Sequence, residues 1–187
     1  MKIIVLGNGN AGKYLSSYFS KFYNIEVITR ADIDAANISS VTNISSKIHK
    51  GDIVINCIGV LKPNIKNVGV ENTFKINGLF PNIMQNICKD KKSHFFHICS
   101  DCVFDGSLMR WVINNKDKDI DGYTNCKWNG VTVLELSRFI HKIIKEKLFW
   151  NGVYNLSSPE IISKYELCKL INIEYNLNIN INKKIAK

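Results

Sequence analysis

Arginine is nearly missing from a strongly basic chain. Of 25 Lys and Arg residues set against 16 acidic ones, only Arg30, Arg110 and Arg138 are arginine, and the lysines are scattered along all 187 residues. A net charge of +9 favours contact with anions. Arginine forks, however, dominate phosphate and base-edge recognition, so their scarcity argues against a nucleic-acid partner. Long apolar runs are also lacking. Nothing approaches the roughly 20 residues of a bilayer span, and no charged, apolar, small-residue series marks a signal peptide, so no membrane partner and a cytoplasmic location are expected. Clusters of metal-ligating residues are missing too. The six cysteines stand singly except for Cys99 and Cys102, whose CxxC has no second CxxC and no histidine series to complete a tetrahedral site. Reduced thiols filling core space, and no metal, are therefore expected. What is present is 45% hydrophobic content, enough for a real core in one domain with at most a small appended lobe.

The most informative stretch is KIIVLGNGNAGKY, Lys2 to Tyr14. A short apolar run ends at Gly7, and Gly7, Gly9 and Gly12 then fall at GxGxxG spacing before a helical pattern through Leu15, Tyr18, Phe19 and Phe22. Each glycine has a physical task. Gly7 makes the tight turn, Gly9 lets backbone approach a pyrophosphate, and Gly12 lets helix pack closely on strand. A dinucleotide's phosphates would then rest on the free N–H groups of Asn8 to Gly12, with Asn10 and Ala11 in the first turn.

Further along, strands are expected at Ile25 to Thr29, Asp52 to Asn56 and His94 to Cys99. Weak helical periodicity covers Ser39 to His49, and a longer helix runs from Asn72 to Cys88 with an interruption near Pro81. Strands alternating with helices, several apolar on both faces, predict an α/β fold: a Rossmann-like, doubly wound parallel sheet. Residues 107–187 read as a small α/β lobe after a 1–106 nucleotide-binding domain. In that lobe Asn114 to Asp121 is a polar loop, and Thr132 and Glu135 open a helix to about Lys147. Asn151 to Leu156 is a strand, Ser163 and Glu166 form a second capping box with Leu167, Leu170 and Ile171 inward, and the end frays after Leu177.

The marks in order are GNGNAG, TRADID at Thr29 to Asp34, DIVINCIG at Asp52 to Gly59, FKIN at Phe74 to Asn77 and HICSDCVFDG at His97 to Gly106. This series resembles the extended short-chain dehydrogenase/reductases, and within them the nucleotide-sugar reductases of the dTDP-4-dehydrorhamnose reductase type. The resemblance resumes at WVINN, GYTNCKWNGVT and WNGVYNLSSPEIISKYEL. It implies NADP as cofactor, with Arg30 standing where NAD-specific sheets carry an acid and suiting a 2′-phosphate; NAD is the alternative. Asp34 would lie beside the adenine or cap a helix. Cys57, Ile58 and Gly59 match the small strand end under the cofactor, and Asn77 matches an asparagine near it. Ser100 takes the place of the catalytic hydroxyl that hydrogen-bonds a substrate carbonyl, while Phe104, Asp105 and Gly106 shape the loop.

One expected part is missing. In these reductases a tyrosine, with a lysine four residues on, protonates the carbonyl oxygen from a helix after the VFDG loop. Here Gly106 runs almost directly into Ser107 to Trp111, so the sheet is expected to be incomplete. Tyr123 and Lys127 have the YxxxK spacing, as do Tyr165 and Lys169, but the 7 tyrosines and many lysines supply about one such match by chance. The expectation is an internally shortened nucleotide-sugar reductase with a nucleotide-sugar substrate and impaired hydride transfer. Its alternative is a non-catalytic cofactor-binding or regulatory subunit, a homo- or hetero-oligomer pairing with a full-length relative.

Overall fold

The structure, a computed structural model, describes residues 1–99 and 107–187, the side chains of 107–110 excepted. In chain order the elements are β1 (Ile3–Leu6), α1 (Asn10–Phe19), β2 (Ile25–Ile28), α2 (Ile38–Thr42), β3 (Ile53–Asn56), α3 (Ile65–Val68), α4 (Val70–Phe74), α5 (Phe80–Asp90) and β4 (His94–His97). There follow α6 (Ser107–Asn114), β5 (Asp119–Tyr123), β6 (Lys127–Trp128), α7 (Val133–Glu146), β7 (Ile162–Ser163), α8 (Lys164–Glu174) and β8 (Asn180–Lys184). They divide between two compact units, Met1–Asp101 with Ser137–Phe149, and Cys102–Leu136 with Trp150–Lys187. Among the described residues no helix is long and apolar enough to cross a membrane.

The first unit is a Rossmann-like parallel sheet in the order β2-β1-β3-β4. Ile3 lies opposite both Ile25 and Ile53, and Ile53 opposite His94. β1 and β3 are central and buried along their whole length, which is why Ile3–Leu6 and Ile53–Ile55 read as continuous apolar runs rather than alternating ones. Ile4, Leu6 and Val54 pack with Val41, Ile44 and Ile48 and with Phe80, Met84 and Cys88 of α5. α1 buries Gly12, Leu15 and Phe19. Its last turn and the loop beyond it surround His141 of α7 with rings, at centroid distances of 4.4 Å to Phe22 and 5.6 Å to Tyr23. Burial and the nearby Lys145 charge hold the His141 pKa below its ordinary value.

The interruption expected near Pro81 takes a specific form. Helix continues from Val70 to Asp90, but Lys75–Leu79 widens into a π-helical turn, and Pro81 sits at the start of α5. Proline brings no N–H to the i→i−4 ladder, so a wider turn just before it relieves the mismatch.

In the second unit β5 pairs in parallel with β8, from Asp119 opposite Asn180 to Tyr123 opposite Lys184. β6 pairs antiparallel with β7. Val112, Ile120, Cys168, Ile171, Leu177 and Ile179 form its core. Four expectations change here. Part of the polar loop is strand, because Ile120 and Gly122 alternate inward; a Cβ on Gly122 would come 2.8 Å from the Tyr165 backbone, so only glycine lets α8 lie there. The segment expected to fray supplies β8. Asn151 to Leu156 forms no strand, and Val153 is 93% exposed. The Ser163–Glu166 capping box is present, though Cys168 rather than Leu170 faces inward.

Candidate functional site

The carboxyl end of β1 carries the glycine turn, which lies against the loop that follows β3. Gly7 adopts φ +95°, a region that favours glycine, and its N–H donates to the Ile28 carbonyl at 2.8 Å. Gly12 is required more severely. A Cβ there would come 1.9 Å from the Gly7 carbonyl oxygen, so helix and turn touch through bare backbone. Around Gly9 the reverse holds, since a Cβ would meet nothing within 4 Å. Gly9 is also the N-cap of α1, no side chain caps that helix end, and its first turn holds no acidic residue. A closed turn, an open approach and an uncapped, positively polarised helix start together make an anion seat. The cradle fits a dinucleotide diphosphate.

Arg30 is exposed on the turn after β2, and among the described residues it makes no ion pair. Asp32, which sequence reasoning passed over, shapes this turn. One carboxylate oxygen accepts from the Thr29 N–H at 2.8 Å and the Thr29 hydroxyl at 3.0 Å, and these bonds hold its pKa below the usual carboxylate value. Asp34 is exposed, and its carboxylate accepts from the Ala36 N–H at 3.0 Å in the turn before α2. The N-cap of α2 itself is Asn37.

Beyond β3, Cys57 is half-buried, and burial pushes its thiol up to about 12, so it serves as packing and not as a nucleophile. Its N–H donates to the Leu6 carbonyl at 2.9 Å. Asn77, in the π turn, clamps this loop with both ends of its amide. It accepts from the Val60 N–H at 2.7 Å and donates to the Val60 carbonyl at 2.9 Å. Gly59 lies alongside, where a Cβ would be 3.6 Å from the Asn77 Oδ1. The structure thus brings Gly7, Gly12, Cys57, Ile58, Gly59 and Asn77 together.

His97, read from sequence only as part of a strand, ends β4 opposite Asn56. Asn56 is fully buried, and its Oδ1 accepts from the Ile58 N–H at 2.9 Å, which turns its Nδ2 toward His97 Nδ1 at 3.0 Å. Nδ1 must therefore accept, leaving the proton on Nε2. Burial lowers the His97 pKa and reinforces the neutral ring. The signal available in sequence was Asn56, a polar residue ending an otherwise apolar strand.

Ser100, Cys102, Phe104, Asp105 and Gly106 lie outside the described residues. Tyr123 ends β5 while Lys127 opens β6, so no helix face joins this pair. Tyr165 and Lys169 do share α8, but the ammonium lies 5.8 Å from the ring centroid in a cation–π arrangement, with Lys183 at 5.4 Å. Among the described residues no group of three or more His, Cys, Asp or Glu is placed to hold a metal ion.

A family described as the RmlD substrate binding domain matches residues 1–138. No curated protein matches the chain significantly. Solved structures share the fold at low identity. The dTDP-4-dehydrorhamnose reductase of Bacillus anthracis, solved with NADP, is 17% identical with a TM-score of 0.73, covering 100% of this chain and 85% of that one. A hypothetical dTDP-4-dehydrorhamnose reductase of Sulfolobus tokodaii is 16% identical with a TM-score of 0.79, covering 100% and 87%. A GDP-mannoheptose C4 reductase of Campylobacter jejuni, with NADP bound, is 10% identical with a TM-score of 0.71, covering 99% and 87%.

Proposed function

The chain belongs to the RmlD substrate binding domain family, and from that premise we propose that it is an NADP-binding protein of nucleotide-sugar reductase descent whose hydride-transfer chemistry is impaired. The cradle at Gly7–Gly12 carries the reading, because a Cβ at Gly12 would strike the Gly7 carbonyl while Gly9 stays open. The N–H groups at the start of α1 hold the diphosphate. Arg30 meets the 2′-phosphate and favours NADP over NAD. Asn77 keeps the Cys57 to Val60 loop in place as the floor of the site. Bound NADPH supplies a hydride equivalent to a carbonyl carbon. Ser100 hydrogen-bonds the oxygen of that carbonyl, in a 4-keto-6-deoxy nucleotide sugar such as dTDP-4-dehydrorhamnose. Proton delivery is the weak step, since Tyr123 and Lys127 sit on separate strands and Tyr165 is engaged by two lysines.

Isothermal titration with NADPH and NADH tests the binding half, with saturable uptake and NADPH the tighter ligand. Uptake of neither by folded protein refutes it. Turnover followed by NADPH absorbance with dTDP-4-dehydrorhamnose tests the other half, and robust reduction refutes the impairment. A second reading, a non-catalytic subunit pairing with a full-length reductase, draws on Leu61, Val70 and Phe74, large apolar side chains exposed on one unit. Gel filtration with such a relative, with and without NADPH, decides it.

A further inference from the structure

All four strands of the parallel sheet begin at one edge, since Ile3 lies level with Ile25 and Ile53, and Ile53 with His94. The glycine cradle stands at the other edge, so this one belongs to no site described above. Four segments meet here: residues 20–24, 48–52 and 89–93, which lead into β2, β3 and β4, and 145–149, where α7 ends. A shallow concavity lined by Met1, Tyr23, Gly51, His94, Lys145 and Lys147 joins them, and the Gly51 N–H donates to the Lys92 carbonyl at 3.0 Å. These segments carry an excess of positive charge. Lys21, Lys50, Lys89, Lys92, Lys145 and Lys147 are exposed, against the exposed acids Asp90 and Glu146. Among the described residues none of these six lysines makes an ion pair. Two further acids at this edge are already committed, Glu26 to Lys2 and Lys47 at 2.6 and 3.2 Å, and Asp52 to the Lys2 and His49 N–H groups at 3.0 Å each.

Two of the lysines stand where the backbone disfavours them. Lys92 and Lys147, just past α5 and α7, have φ +54° and +55°, and the bonds of a glycine-type helix end surround each: the Ser93 N–H donates to the Cys88 carbonyl and the Leu148 N–H to the Ile143 carbonyl, both at 2.9 Å. The helix dipole needs no such strain, being served by lysines within the last turn such as Lys89 and Lys145. Apolar side chains share the edge. Met1, Phe22 and Leu148 are 69%, 53% and 50% exposed, and the Phe22 ring is tied to α7 by its contact with His141. Lysines around exposed apolar side chains complement an anionic bilayer, where ammonium groups meet lipid phosphates and apolar groups enter the headgroup layer. Nucleic acid fits less well, because no arginine fork stands in these segments.

We propose that this edge of the first unit binds the surface of an anionic membrane peripherally, through its lysines and the Met1, Phe22 and Leu148 side chains. Such a contact needs no spanning run, and it does not depend on the function proposed above. The test sediments the full chain with vesicles of phosphatidylglycerol and phosphatidylcholine. The protein should sediment with them at low salt, release as salt rises, and stay in solution with phosphatidylcholine alone. Lys92→Gly with Lys147→Gly removes two charges and relieves two left-handed residues. That variant should unfold at or above the parental midpoint yet bind the mixed vesicles about tenfold or more weakly, so a loss of binding is not a loss of fold. Leu148→Ser should weaken binding severalfold by removing an apolar anchor. No sedimentation with the mixed vesicles, equal sedimentation with phosphatidylcholine alone, or undiminished binding by the double glycine variant overturns the proposal. Tighter binding to a DNA duplex at the same salt and phosphate concentration overturns it as well, and undiminished binding by Leu148→Ser overturns the apolar contribution.

Discussion

Two alanine substitutions three residues apart should separate folding from cofactor binding. At Gly12 the new methyl would begin 1.9 Å from the Gly7 carbonyl oxygen and 2.9 Å from its carbon. Relief needs α1 to shift by more than an ångström, against the packing of Leu15 and Phe19. Overpacking of this severity costs about 3 kcal/mol, and better helix propensity returns at most about 1 kcal/mol. The net loss for Gly12→Ala is about 2–3 kcal/mol, a large share of a typical total of about 5–15 kcal/mol. At Gly9 the backbone has φ −66° and ψ −173°, which alanine adopts freely, and the methyl has nothing to strike. A poorer N-cap costs about 0.5–1 kcal/mol, and reduced freedom of the unfolded chain returns about 0.4–1 kcal/mol. Gly9→Ala should therefore unfold within about 0.5 kcal/mol of the parent yet lose about tenfold or more in NADPH affinity, because its methyl occupies the diphosphate's approach. Urea unfolding and calorimetric titration of both variants measure the four quantities. An unchanged unfolding midpoint for Gly12→Ala, or unchanged NADPH affinity for Gly9→Ala, would refute the cradle.

Asn77→Leu removes both bonds to Val60 and should cost about 1–2 kcal/mol by urea unfolding, with weaker NADPH binding; parental stability would show that the clamp carries no weight. Nitrogen NMR should find the His97 proton on Nε2 and a titration below the ordinary value of about 6.5. Its folded pKa being depressed, the native protein binds fewer protons than the unfolded chain, so the contribution is full above that value and is lost as pH falls toward the folded pKa. His97→Gln should accordingly flatten the fall in stability between neutral and mildly acidic pH, and an unchanged slope contradicts the assignment. Ser163→Ala breaks the capping box of α8 and should cost about 1 kcal/mol in thermal or urea unfolding; no change would mean that the cap is redundant.

Features that rest on a local backbone demand or a strong period were legible in the sequence. The Gly7, Gly9 and Gly12 spacing, the buried runs of β1 and β3 and the Ser163–Glu166 box all state their geometry in a few adjacent residues. What the sequence hid depends on partners far along the chain. Asp119 to Tyr123 alternates too briefly to announce a strand, and it becomes one because Asn180 to Lys184 lies beside it. The π turn arises from Pro81 acting on residues one turn earlier, and Asn77 gains its role only when that turn faces Val60. Asn56 and His97 gain their shared role only when strand pairing sets them opposite one another. Arg30 and Asp34 sit on short polar turns, where composition alone does not separate a ligand contact from a turn former.

The chain leaves the first unit, crosses into the second, returns with Ser137–Phe149 and departs again. No single cut therefore releases either unit whole. A fragment ending near residue 106 would expose the rings of Tyr18, Phe19, Phe22 and Tyr23 that now enclose His141. Such a fragment should be insoluble or proteolytically fragile, whereas supplying residues 133–149 as a separate peptide should rescue it. The first unit is thus completed only by a segment that follows the opening stretch of the second in the chain.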